Sequence, residues 1–171
     1  MLQLSPKFKE FILTETKRDF LEGTTAAGKT TVGIFKFMLM VAKSDIKYHV
    51  IAGADLGTVE KNVINNERGL LDQFDGLAEY YPKGQGRIGL SHIKYQTPNG
   101  EKIIYVCGYD NKARWKKVLG SQQGCVYIDE VNTADMEFLR EISHRCKYMM
   151  TTSNPDSPDL LVYKEFINHS R

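Results

Sequence analysis

Three short stretches carry residues whose types and spacing could do chemistry. The first is "GTTAAGKTT", with Gly23, Thr24, Thr25, Ala26, Ala27, Gly28, Lys29, Thr30 and Thr31. Two glycines four residues apart, followed by Lys-Thr, let a backbone curl until its N–H groups face phosphate oxygens. A helix beginning there adds the positive end of its dipole. Lys29 would then neutralise β- and γ-phosphate oxygens, and the Thr30 hydroxyl would be a ligand for Mg²⁺. The second stretch is "CVYIDE", an apolar run delivering Asp129 and Glu130. Asp129 would hold Mg²⁺ through water, and Glu130 would orient or deprotonate an attacking water. The third is "MMTTSNP", which ends another apolar run in Thr151, Thr152, Ser153 and Asn154. A polar residue at such a strand end can sense a γ-phosphate; the plainer reading is an Asx-turn before Pro155.

These residues need a scaffold that brings strand ends to one crevice. "RDFLEG" (18–23), "YHVIAGA" (48–54), "GCVYIDE" (124–130) and "KYMMTTSNP" (147–155) read as strands. Residues 28–43 place Val32, Phe35, Leu39 and Ala42 at helical spacing, while 56–74 and 134–145 also read as helices. Asn99-Gly100 joins "SHIKYQTP" to "KIIYVCG" as a β-hairpin over 91–108, and the glycine-rich 82–90 reads as a loop. Strands alternating with helices predict an α/β fold with a mostly parallel central sheet, here a P-loop NTPase of the strand-glutamate ATPase type with a hairpin insertion. Ligands of such sheets sit at the carboxyl ends of the strands, where all three stretches end.

Composition sets bounds. The chain has 171 residues, which fits one domain, with 42% hydrophobic and 26% charged residues and a net charge of +2. No apolar run approaches the length of a membrane span, and "MLQLSPKFKE" lacks the basic and apolar regions of a secretory signal. Cys107, Cys125 and Cys146 have no metal-ligand spacing and read as small buried thiols. The guanine-reading pattern Asn-Lys-x-Asp is absent, since "DNKAR" has Arg114 where the aspartate should stand.

Taken together, "LSPKFKEFI", "LEGTTAAGKTT", the hairpin, "GYDNKARWKKVLGSQQGCVYIDEVN" and "TTSNP" resemble the N-terminal ATPase domain of bacteriophage terminase large subunits over roughly residues 4–160. The resemblance implies an Mg²⁺-dependent ATPase that powers packaging of double-stranded viral DNA into a procapsid in the host cytoplasm. Its implied partners are the portal protein, the small terminase subunit and further copies in a ring, with the isolated domain monomeric. Thr152, Ser153 and Asn154 become a coupling segment. Arg114, in a loop anchored by Trp115, becomes the arginine supplied to a neighbour's nucleotide.

Two departures stand out: the phosphate loop lacks the additional arginine common in that family, and Phe8 follows "SPK" where an adenine-reading glutamine would be sought, with Gln3 a poor substitute. The acidic clusters of a two-metal nuclease are also missing, with only Glu165 after Asp159, so residues 1–171 read as the ATPase domain alone. The alternatives are another P-loop ATPase of helicase-like or AAA type, or a small-molecule kinase. A kinase lid would need two or more arginines, and "PKGQGRIG" offers only Arg87.

Overall fold

The computed structural model describes residues 4–23, 28–154 and 164–165. The loop positions Thr24, Thr25, Ala26 and Ala27 and the tail from Pro155 to 163 lie outside the described residues. The elements in chain order are α1 (Pro6–Leu13), β1 (Arg18–Glu22), α2 (Lys29–Lys43), β2 (Tyr48–Gly53) and α3 (Leu56–Val59). A π-helical turn, Glu60–Ile64, leads to α4 (Leu70–Gln73), β3 (Ala78–Tyr81), β4 (His92–Thr97), β5 (Gly100–Gly108) and α5 (Lys112–Val118). β6 (Gln123–Ile128), a 3₁₀ turn at Val131–Thr133, α6 (Met136–Arg145) and β7 (Cys146–Ser153) follow.

The described strands form one sheet in the order β1-β7-β6-β2-β5-β4-β3. The five from β1 to β5 pair in parallel, and β4 is antiparallel to both β5 and β3. The expected hairpin is therefore continuous with the sheet: β5 pairs in register with β2 from Tyr48↔Ile103 to Gly53↔Gly108. Side chains alternate between two apolar layers. Ile51, Cys125, Tyr127 and Met150 pack with Ile34, Phe37, Met38 and Val41 of α2. Val50, Ala52, Val126, Ile128 and Met149 pack on the other face with Trp115 and Val118 of α5 and Phe138, Leu139 and Ile142 of α6. Strands covered on both sides explain the near-continuous apolar runs in β2 and β6.

Two local readings are corrected, at 56–74 and around Arg114, and two elements, β3 and α1, add to the sequence reading. The helix expected over 56–74 breaks after Ile64. Gly69 has extended backbone, and a Cβ there would meet Asn66 O at 2.7 Å and Val63 O at 2.9 Å. "AEYY" is a strand because it pairs with β4, although it is too short and too exposed to show a pattern. "PKFKEFIL" forms α1, with the Ser5 hydroxyl accepting from Phe8 N–H as N-cap and Pro6 opening the first turn. The segment carrying Arg114 is the helix α5, N-capped by Asn111, rather than a loop.

A buried polar cluster fastens α1 to the phosphate-loop elements. Lys36 of α2 is 1% exposed and pairs with Asp19 of β1 at 2.7 Å. Its ammonium also donates to Thr14 O and lies over the Phe11 ring at 4.2 Å. Tyr148 of β7 donates to the same Asp19 carboxylate.

Candidate nucleotide site

Gly28 has φ of +70°, a left-handed conformation that a glycine adopts without penalty, and it is the N-cap of α2. The turn places Lys29 and Thr30 in the first helical turn, beside the end of β1. Lys29 is 5% exposed. Its ammonium donates to Gly23 O, to Ser153 O at 2.8 Å and to Asn154 Oδ1. Those three acceptors match its three N–H bonds. Two of them belong to the end of β7, the strand that separates β1 from β6.

Asp129 follows β6 and continues the Cys125–Tyr127 alternation onto the α2 face. Its N–H donates to Ala52 O, which keeps it in line with the sheet. The carboxylate is buried and accepts from the Thr152 hydroxyl at 2.9 Å. Burial raises its carboxyl above the usual aspartate range; the Thr152 bond opposes this, the Glu130 charge reinforces it, and Lys29 opposes it.

Glu130 has φ of +51° and ψ of +57°, a conformation disfavoured for a residue with a Cβ. Strain of this kind costs about 1–3 kcal/mol and persists only where neighbours enforce it. The neighbours here are identifiable. The Glu130 N–H donates to the Thr152 hydroxyl at 3.2 Å, and its C=O accepts from Thr133 N–H and from the Thr133 hydroxyl at 2.9 Å. Its carboxylate accepts from Asn154 Nδ2 at 3.1 Å. Asn154 thus links Lys29 to Glu130. Its amide orientation is fixed by chemistry, because the reverse would set NH₂ against an ammonium and oxygen against a carboxylate.

Thr30 is half-buried on the same rim. The fully buried Tyr127 phenol adjoins the hydroxyls of Thr30 and Thr152 and lies within the field of Asp129, without reaching hydrogen-bond geometry with a partner. A hydroxyl and one carboxylate suit Mg²⁺, which keeps several waters and completes its shell with substrate phosphates. Among the described residues no group of three or more His, Cys, Asp or Glu is placed to hold a metal ion.

The structure thus brings Lys29, Asp129, Glu130, Thr152, Ser153 and Asn154 together. Arg114 stands apart, half-buried on α5, with its charge near Tyr80 and Cys107. Tyr109 and Thr133 were not anticipated. Their hydroxyls bond to each other beneath Glu130, a tertiary pairing that no local motif announces.

No protein-family model matches the chain, and a search of curated proteins finds no significant match. Solved structures do match. The large terminase of a thermophilic bacteriophage superposes with a TM-score of 0.82 at 17% identity, covering 98% of this chain and 43% of that one. The same terminase in complex with ATP-γ-S gives 0.72 at 17% identity, over 97% of this chain and 38% of the other. The large terminase ATPase domain of Thermus phage P74-26 gives 0.51 at 14% identity, over 92% of this chain and 72% of that domain. The chain therefore spans about two fifths of the first of these terminases. The glycine-capped helix α2, the acidic end of β6 and the polar end of β7 between β1 and β6 are built on the fold shared with the ATPase domains of phage large terminases.

Proposed function

We propose that this chain is the ATP-hydrolysing motor domain of a phage DNA-packaging machine. The observation that carries the proposal is the joining of Lys29, Asp129 and Glu130 through β7, by way of Thr152, Ser153 and Asn154. The phosphate-contacting cation, the metal-binding acid and the acid beside it thus share one rim, with a single strand able to register whether a phosphate is present.

In this reading Lys29 exchanges carbonyl acceptors for phosphate oxygens when ATP enters. Asn154, losing its contact with Lys29, is left to orient Glu130. Glu130 accepts the proton of the attacking water, a role worth about 10²–10⁴ in rate. Mg²⁺ held by Thr30 and Asp129 would neutralise charge on the β- and γ-phosphates. Arg114 has no part in this cluster, and its half-exposed place on α5 is compatible with service to a neighbouring subunit's γ-phosphate in a ring. In this reading the domain works in the host cytoplasm with double-stranded DNA, a portal protein and a small terminase subunit.

The test is Mg²⁺-ATP hydrolysis by the protein alone and with double-stranded or single-stranded DNA. Slow basal turnover that rises with double-stranded DNA and with protein concentration is expected. Stimulation by single strands alone would favour a helicase-like motor, and no turnover under any condition would overturn the ATPase reading. Mixing Arg114→Ala with Glu130→Gln tests the trans arginine. Partial recovery of activity is expected, and none in an assembly shown to be mixed would remove Arg114 from that role.

A further inference from the structure

We propose that Tyr109 is a positioning residue for hydrolysis, acting with Thr133 as a brace that holds Glu130 in its strained turn. The inference rests on the ATPase reading above. Tyr109 directly follows β5, two strands away from Glu130 in the sheet, and is 7% exposed. Its ring packs against Phe138 at 5.7 Å, which accounts for the aromatic body but not for the hydroxyl. That hydroxyl bonds to Thr133 Oγ1 and lies 3.4 Å from Glu130 O. Two hydroxyl protons serve these contacts: Thr133 donates to Glu130 O at 2.9 Å with the phenol donating to Thr133, or the phenol donates to Glu130 O with Thr133 donating to the phenol. In both arrangements the Tyr109–Thr133 pair delivers a proton to the Glu130 carbonyl.

Its setting explains why a tyrosine suits the place. Burial pushes the Tyr109 phenol up to about 12, the Thr133 bond lowers it, and the charges of Asp129, Glu130 and Asp55 raise it. The phenol therefore keeps its proton well above the range in which carboxylates and imidazoles titrate. Above Glu130, Thr152 holds the N–H; below it, this brace holds the C=O. With both peptide groups held, the backbone sets the Cα–Cβ direction of Glu130, and the Asn154 bond to its carboxylate fixes the far end of the side chain. Displacing a reacting group by about 1 Å can cost up to ~10² in rate.

The experiment is steady-state ATP hydrolysis by the wild type, Tyr109→Phe, Thr133→Val and Thr133→Ser, with nucleotide affinity and melting temperature recorded for each. Tyr109→Phe keeps the ring and removes only the hydroxyl. A fall in kcat of about 10- to 100-fold with KM for ATP within two-fold of wild type is expected for Tyr109→Phe and Thr133→Val. Thr133→Ser, which keeps the hydroxyl, should recover most of the rate. In a Glu130→Asp background, Tyr109→Phe should cost little more, because both changes act on one carboxylate. Wild-type turnover with an unaffected Tyr109→Phe kcat would overturn the brace, as would Thr133→Ser being as impaired as Thr133→Val. An inactive wild type would overturn the ATPase reading and the brace with it.

Discussion

The ammonium of Lys29 rests 2.8 Å from the carbonyl oxygen of Ser153 and also donates to Asn154 Oδ1, so the first turn of α2 is tied to the end of β7. Lys29→Ala removes this tie together with the side-chain cation. Turnover should become undetectable and nucleotide affinity should fall, measured by phosphate release and by calorimetric titration. Near-normal turnover by this variant would remove the site from the phosphate-binding role.

Glu130→Gln keeps the size of the side chain and an oxygen able to accept from Asn154, but it loses the base. Nucleotide binding should persist while single-turnover hydrolysis drops by about 10²–10⁴. A rate within ten-fold of wild type would assign the base elsewhere.

Asp129 carries a carboxyl that burial raises above its ordinary range. Between its unfolded and folded values the native state holds more protons than the unfolded state. Stability is therefore lost as pH rises through that window, and the deficit persists above it. Asp129→Asn should raise the melting temperature of the nucleotide-free protein at neutral pH, with the gain fading as pH falls through the raised value and gone below the ordinary aspartate value of 3.8. The same variant should lose Mg²⁺-dependent nucleotide affinity. A variant melting below wild type at neutral pH would contradict the stated balance.

His49, fully buried on β2, accepts from Cys125 N–H through Nδ1 and donates to Ile46 O through Nε2, which defines the neutral ring. Burial is the main cause of its lowering from 6.5 to about 4, with the Ile46 bond opposing and Lys102 assisting. The unfolded ring takes its proton first, so stability present above pH 6.5 is lost as pH falls toward 4, by about 3 kcal/mol. Urea midpoints at pH 7.5 and pH 4 should show this. His49→Leu should be less stable at pH 7.5, having orphaned a buried N–H, but should show a shallower dependence on pH over that range. An unchanged slope would place the acid sensitivity in other groups.

Lys36→Met leaves the Asp19 carboxylate buried with the Tyr148 hydroxyl as its remaining partner in the cluster. Breaking one side of a buried pair costs about 3–5 kcal/mol. A chain of this size should then melt roughly 6–20 °C lower by calorimetry. A shift under 3 °C would mean that the pair contributes little beyond its packing.

The sequence exposes the parts of this molecule whose chemistry is local. Gly28-Lys29-Thr30 and Asp129-Glu130 are readable because backbone curvature, helix dipole and strand ends act within a few residues. Strands β2 and β6 are readable because double-sided burial makes their runs continuous. What escaped depends on partners distant in the chain. Ala78–Tyr81 is a strand only because β4 lies beside it, and the break after Ile64 reflects a close backbone approach at Gly69 that its side-chain pattern does not encode. The same holds for Tyr109, whose hydroxyl acquires meaning only when Thr133 folds over it.

The position of β1 also determines when the site can exist during synthesis. β1 pairs only with β7 among the described strands, Arg18 opposite Met149 and Glu22 opposite Ser153. The strand made first must therefore wait unpaired until β7, the last of the seven described strands, has left the ribosome. Long-range parallel pairing of this kind closes slowly. A nascent chain stopped short of β7 would have its phosphate-loop sequence complete and still lack the Ser153 and Asn154 acceptors that hold Lys29 in place.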